Sequence, residues 1–246
     1  MAAAGRFVFV ALDGVDLREA LRLVATLAPL GVRFKVGLEL FCREGPRGLG
    51  AIQEVAGPCL LDLKLHDIPR TVERAVAALR GTGAWGLTVH GAGGPVMLRA
   101  AAEAAAVSVG TAAAEPFRIL AVTVLTSLDE QVLHALGVRL PLREQVVRLA
   151  SLAAAAGCDG IVCAPDEVDA VRGAAGPDAF VLTPGVRPPG APRHDQARVA
   201  TPAAALAAGA DAVVLGRPVT GAADPRAVLT QILEDLDGVA FRRNLG

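Results

Sequence analysis

Eight short apolar runs, each followed by an amphipathic or alanine-rich segment, recur along this chain of 246 residues with no linker between them. They occupy residues 7–12, 32–36, 60–65, 86–89, 118–124, 160–163, 179–183 and 212–215. Most are continuous rather than alternating, the pattern of a strand covered on both faces. After the first run, Asp16 and Glu19 form a capping pair, and Leu17, Ala20, Leu21, Val24 and Leu27 recur at helical spacing. Further helical segments end near residues 56, 80, 109, 156, 171, 208 and 236, the first of them broken at Gly45-Pro46. Strands alternating with helices require a parallel sheet. Eight such units in a chain of this length predict a closed (β/α)8 barrel, the TIM barrel, with residues 1–246 as a single domain. The active site of such a barrel lies at the carboxyl ends of its strands.

Hydrophobic residues make up 53% of the chain, enough for a large core, and the net charge of −1 is spread without basic or acidic blocks. That balance argues against a nucleic-acid or membrane-surface partner and for small-molecule chemistry. Cys42, Cys59, Cys158 and Cys163 show no C-x-x-C pairing and lie in or beside apolar segments, so buried free thiols in a reducing cytosol are expected. The first strand begins at Phe7, without the basic region and longer apolar core of a signal peptide. The uncharged span 81–98 holds six glycines and a proline, which argues against a membrane helix. A cytoplasmic protein is the expectation.

Cations are used selectively. Of 24 Lys and Arg residues only Lys35 and Lys64 are lysines, and both sit inside apolar strand-like runs. Arg stays charged, whereas Lys is a compact ammonium that can give up a proton when desolvated. Lys64 belongs to the stretch Leu60-Leu61-Asp62-Leu63-Lys64-Leu65-His66-Asp67-Ile68-Pro69-Arg70-Thr71. In a strand, residues two apart share a face at roughly 6 to 7 Å, so Asp62 and Lys64 would point together while Leu61, Leu63 and Leu65 point the other way. Pro69 then opens a helix. Lys35, Asp62, Lys64 and Asp67 form a possible alternating cluster that presents an ammonium where negative charge develops, which suits decarboxylation or proton abstraction.

Other motifs divide. Residues 81–86 match G-x-G-x-x-G, but the helix precedes and the strand follows, the reverse of a dinucleotide site, so a loop is expected. Gly216-Arg217-Pro218 follows the eighth strand, where barrels bind phosphate: Gly admits the backbone and Arg offers a bidentate fork. The loop after strand seven, residues 184–199, carries Arg187, Arg193 and Gln196 and is long enough to close over a ligand. His66, His90, His134 and His194 lack metal-ligand spacing, so no protein-held metal is expected; His66 and His90 could line the pocket. No Gly-x-Ser-x-Gly supports acyl-enzyme chemistry.

The run Asp62-Leu-Lys64-Leu-His-Asp67-Ile-Pro-Arg-Thr71 closely resembles the signature of the orotidine 5'-phosphate decarboxylase family. Segments 11–13, 34–37, 122–127, 183–187, 195–196 and 215–218 resemble further family segments in family order. The resemblance implies a homodimeric barrel that needs no cofactor and converts orotidine 5'-phosphate to UMP and carbon dioxide. In it Lys64 would protonate C6 of the pyrimidine, with Asp62 beside the departing carboxylate. Lys35 would bridge the ribose and the charged network, and Asp13 would hold a ribose hydroxyl. Asp67 and Thr71 would reach the neighbouring subunit's site. Thr126 would contact the pyrimidine, with Ser127 as the adjacent register. Arg187, Gln196, Gly216 and Arg217 would secure the phosphate and close the lid. The family usually shows Asn where this chain has Arg70. The alternative is a magnesium-dependent sugar-phosphate decarboxylase or synthase with a similar Asp-x-Lys-x-x-Asp strand. Against it stand the His66-Asp67-Ile68-Pro69 continuation and the pair Gln196 and Arg217.

Overall fold

Period-two alternation sorts the side chains into two cores. Along β1 (Val8–Ala11), Val8 and Val10 join the layer between strands and helices, while Phe9 and Ala11 join a separate cluster inside the barrel. The computed structural model describes residues 2–107, 116–188 and 200–243. In it β1 is followed by β2 (Arg33–Gly37), β3 (Leu60–Leu65), β4 (Gly86–His90), β5 (Arg118–Val122), β6 (Gly160–Val162), β7 (Phe180–Thr183) and β8 (Ala212–Leu215). All pair in parallel and in sequence order, and β8 returns to β1 through Val213 and Val8, closing the barrel. That is the architecture predicted from the strand and helix alternation.

The helices are α1 (Ala2–Gly5), α2 (Leu17–Leu27), α3 (Leu38–Ala56), α4 (Pro69–Arg80), α5 (Gly94–Ala106), α6 (Glu130–Ala135), α7 (Leu142–Ala155), α8 (Val168–Ala175), α9 (Pro202–Ala207), α10 (Arg217–Thr220) and α11 (Pro225–Arg243). As expected, Asp16 caps α2 by accepting from the Glu19 amide at 2.8 Å, and α3 is kinked at Gly45, whose φ is 62°. Residues 81–84 make no phosphate loop and lead into β4.

Helix α6 bears out the helix expected around His134 and is capped by Asp129, whose carboxylate accepts from the Val132 amide at 2.9 Å. Three expectations are corrected. Strand five stops at Val122 rather than residue 124: its pairing with β6 ends at Val122 and Val162, where the Thr123 amide and hydroxyl both donate to the Val162 carbonyl at 3.1 and 3.2 Å. The helix expected over 166–171 starts later, after a 3-10 turn at Pro165–Glu167. Finally, all four cysteines are free, but Cys42 is exposed, on the polar side of α3; burial raises the thiol pKa of Cys59 and Cys158 to about 12.

One end of the barrel is sealed. Trp85, just before β4, packs against Phe9 at 5.2 Å and Phe180 at 5.4 Å between ring centroids. The guanidinium carbons of Arg33 and Arg118 stand 5.3 and 4.8 Å from its ring centroid. All of these groups lie at or near the amino ends of their strands, which leaves the carboxyl ends to form the open mouth. Among the described residues no helix is long and apolar enough to cross a membrane.

Candidate active site

At the strands' carboxyl ends a cavity of about 420 Å³ opens. Its walls include Asp13 after β1, Lys35 of β2, and Asp62 and Lys64 of β3. Thr88 of β4, Thr126 after β5, Arg187 after β7, and Gly216 with Arg217 after β8 add to the polar lining. Eight residues singled out in the sequence thus come from six strand ends to one space. Leu60, Val122, Val162, Leu182 and Val214 form its apolar floor and walls.

The charges are continuous. Lys35 Nζ lies 2.9 Å from Asp13 Oδ2 and 3.1 Å from Asp62 Oδ2, and Lys64 Nζ lies 2.8 Å from Asp62 Oδ1. Side-chain exposure is 51% at Asp13, 6% at Lys35, 15% at Asp62 and 38% at Lys64, so the row is buried at its centre and open at both ends. Burial alone would pull the Lys35 ammonium pKa down, but the Asp62 and Asp13 carboxylates outweigh it and raise it. For Asp62, burial favours the protonated acid, yet Lys35 and Lys64 hold it well below the usual carboxylate range. The row is therefore held ionised by its own members.

The backbone that carries Asp62 and Lys64 is irregular. On β3, Leu61 pairs with Leu87 and Leu65 with Val89, so the bulged strand spends four steps where β4 spends two. Inside that bulge Lys64 has φ 49°, the left-handed region, and it is the one non-glycine residue at positive φ among the described residues. Strain of this kind persists where surrounding structure enforces it.

Gly37, in the family-like segment 34–37, explains a second feature. A Cβ there would fall inside the van der Waals envelope of Asp13 Oδ1 and lie 3.2 Å from Lys35 Nζ. Gly37→Ala is therefore expected to push Asp13 off Lys35 and raise KM at least about tenfold, a charged hydrogen bond's worth, with little loss of fold. Steady-state kinetics check this; an unchanged KM would show that Asp13 does not hold substrate.

Other sequence candidates lie elsewhere. Asp67 is exposed on the β3–α4 turn, its carboxylate accepting from the Ile68 amide at 2.7 Å, and Thr71 is exposed in the first turn of α4; neither lines the cavity of this single chain. The ion row thus holds Asp13, not Asp67, as its second outer carboxylate. Thr126 lines the cavity and Ser127 does not. Arg70 points to Glu73 at 2.8 Å on the outer surface of α4. His66 and His90 do not line the cavity; they stack at 5.3 Å, and His90 Nδ1 accepts from the Ala92 amide. Burial, then the neighbouring His66 and Lys64, lower the His90 pKa. His134 is exposed on α6. Arg193, His194 and Gln196 lie outside the described residues. Sequence reading missed Thr88, fully buried in β4, whose hydroxyl donates to Asp62 Oδ1 at 2.9 Å.

A closed parallel barrel whose mouth joins an ammonium–carboxylate row to arginines after the last two strands defines a class: TIM-barrel enzymes that act on small anionic, phosphate-bearing substrates. Residues 6–232 match the model of the orotidine 5'-phosphate decarboxylase / HUMPS family, and the chain belongs to that family. It is 51% identical over 228 residues to an orotidine 5'-phosphate decarboxylase of Thermobifida fusca, covering 92% of this chain and 94% of the relative. A relative of the same name from Anaeromyxobacter sp. strain K is 50% identical over 226 residues, covering 92% and 96%. Among solved structures, the orotidine 5'-phosphate decarboxylase of Lactobacillus acidophilus superposes with a TM-score of 0.82 at 37% identity, covering 93% of this chain and 98% of that one.

Proposed function

We propose that this chain decarboxylates orotidine 5'-phosphate to UMP and carbon dioxide, the last step of UMP biosynthesis, with residues 1–246 acting as one catalytic domain. The observation that carries the reading is the ionised row from Asp13 to Lys64, which ends in an ammonium inside a cavity that Arg187 and Arg217 also line. Breaking the bond between C6 and the carboxylate carbon leaves an electron pair at C6 that no ring carbonyl can accept directly. Lys64 Nζ stabilises that charge and gives C6 its proton, and the amine regains one from water. Asp62 keeps Lys64 in place and stands beside the departing carboxylate. Lys35 and Asp13 hold the ribose, Thr126 the pyrimidine, and Arg187, Gln196, Gly216 and Arg217 the phosphate. Binding energy from that remote phosphate supports the ordering of the site.

The same reading makes the enzyme a cytoplasmic homodimer that works without cofactor. Leu38, Ile68 and Val96 are exposed by 56%, 67% and 69% on three consecutive units at the mouth end of the barrel, beside Asp67 and Thr71. Apolar exposure there suits a second copy, whose site Asp67 and Thr71 would complete. The test is to mix purified protein with orotidine 5'-phosphate and follow the loss of its ultraviolet absorbance, with and without excess chelator. Loss at equal rates in both is expected. No loss would remove the substrate assignment, and loss only without chelator would favour the magnesium-dependent alternative.

A further inference from the structure

Thr88 carries a geometry that its position in a strand does not require. It lies opposite the β3 bulge, between Leu87 and Val89, which pair with Leu61 and Leu65. A hydroxyl has one proton and can accept through its lone pairs. Here the proton goes to Asp62 Oδ1 at 2.9 Å, and the oxygen accepts the Lys64 backbone amide, also at 2.9 Å. Asp62 Oδ1 in turn accepts from Lys64 Nζ at 2.8 Å. One buried hydroxyl thus touches both ends of the same lysine, its amide directly and its ammonium through the carboxylate. The residue so held is Lys64, at φ 49°.

In a regular strand the Lys64 amide would find a carbonyl on a neighbouring strand. The bulge removes it from the ladder, and a buried amide left without an acceptor is costly. Thr88 supplies that acceptor, so the left-handed turn at Lys64 is satisfied by a side chain rather than by the sheet. The same contact orients the hydroxyl proton toward Asp62, leaving its carboxylate directed at both lysines. Thr88 borders the cavity but is 0% exposed, and its hydroxyl is engaged by Asp62 and Lys64, so it acts on substrate through these two partners.

We propose that Thr88 is a positioning residue: its hydroxyl holds the bulged backbone at Lys64 and the Asp62 carboxylate in the arrangement that aims the Lys64 ammonium into the cavity. The inference rests on the reading of Lys64 as the proton donor, but its geometry can be tested apart from that reading. Thr88→Ser and Thr88→Ala both remove the methyl and differ only in the hydroxyl, so their comparison isolates it from packing. Thr88→Ser is expected to keep kcat on orotidine 5'-phosphate within about threefold of the unaltered chain. Thr88→Ala is expected to lose roughly 10- to 100-fold in kcat, the range for a hydrogen bond to a charged group, while KM and UMP affinity move less than about threefold. Equal kcat in the two variants, or a loss carried in KM alone, overturns the proposal. Crystal structures of both variants give a readout independent of turnover. With Ala, Lys64 is expected to leave the left-handed region or its Nζ to part from Asp62 by more than about 3.5 Å; with Ser neither occurs. An unmoved Lys64 in Thr88→Ala overturns the proposal whatever the substrate proves to be. Absence of turnover in the unaltered chain, with the lysine displaced as expected in Thr88→Ala, overturns the substrate reading and leaves the positioning role standing.

Discussion

Lys64→Ala is expected to lose at least about a thousandfold in turnover while remaining folded, because both charge stabilisation at C6 and proton delivery depend on one ammonium. Folding is readily followed: Trp85 is the sole tryptophan, the chain has no tyrosine, and this ring sits at the sealed end of the barrel, away from the substitution. Without Lys64, Asp62 still has Lys35 at 3.1 Å and the Thr88 hydroxyl at 2.9 Å, so no buried charge is stranded. Near-normal turnover in the purified variant would remove the mechanism.

Backbone strain gives this experiment a second reading. At φ 49° alanine remains in a conformation that L-residues disfavour, and glycine does not. Lys64→Gly should therefore be more stable than Lys64→Ala by about 1 kcal/mol, although both are inactive. Coexpression with Asp67→Ala tests whether sites are shared. If Asp67 completes the partner's site, mixed dimers carry one intact site each, and about a quarter of the normal activity returns. No recovery would confine Asp67 to its own subunit.

The barrel was legible because its strands are continuous apolar runs and because no linker interrupts their period; only residue types and spacing were needed. Site membership was legible for a related reason. Strand ends in this fold share one mouth, so Asp13, Lys35, Thr126 and Arg217, far apart in sequence, had to converge once the strands were placed. What stayed hidden depends on contacts between strands. Alternation put Asp62 and Lys64 on one face but held no sign of the β3 bulge, which exists only relative to β4. Thr88 reads as an ordinary β-branched strand residue until that register is known. Asp67 shared a motif with Lys64, yet the helix start at Pro69 carries it out to the surface, and within one chain Asp13 takes the outer place in the row. The exposed Cys42 shows the reverse error, since proximity to apolar residues on a helix does not say which side a residue takes.

Removing Asp62 is expected to cost stability as well as catalysis. Lys35 is 5% exposed, and Asp62 is the stronger of the two carboxylates that keep it charged; the other, Asp13, is half exposed. Asp62→Ala therefore leaves a buried ammonium with one partly solvated partner and places two lysines together without the anion between them. A loss of about 3 kcal/mol, or roughly 6 to 12 °C in Tm, is expected. Its pH dependence identifies the cause. In the unaltered chain the Lys35 pKa is raised, so its contribution is complete below the ordinary lysine value of about 10.4 and is lost only as pH climbs through the higher folded value. Without Asp62, burial prevails, the folded pKa drops below that ordinary value, and charged Lys35 becomes a penalty that rising pH relieves. Between about pH 7 and 10 the variant's Tm should rise relative to that of the unaltered chain. At the acid end the gap should narrow too, because the depressed Asp62 pKa makes its contribution complete above about pH 4 and lost below it. Thermal unfolding followed by Trp85 fluorescence across this range decides the matter: parallel Tm profiles for the two proteins would mean that Asp62 does not hold Lys35 charged, and the ionised row would lose its physical basis.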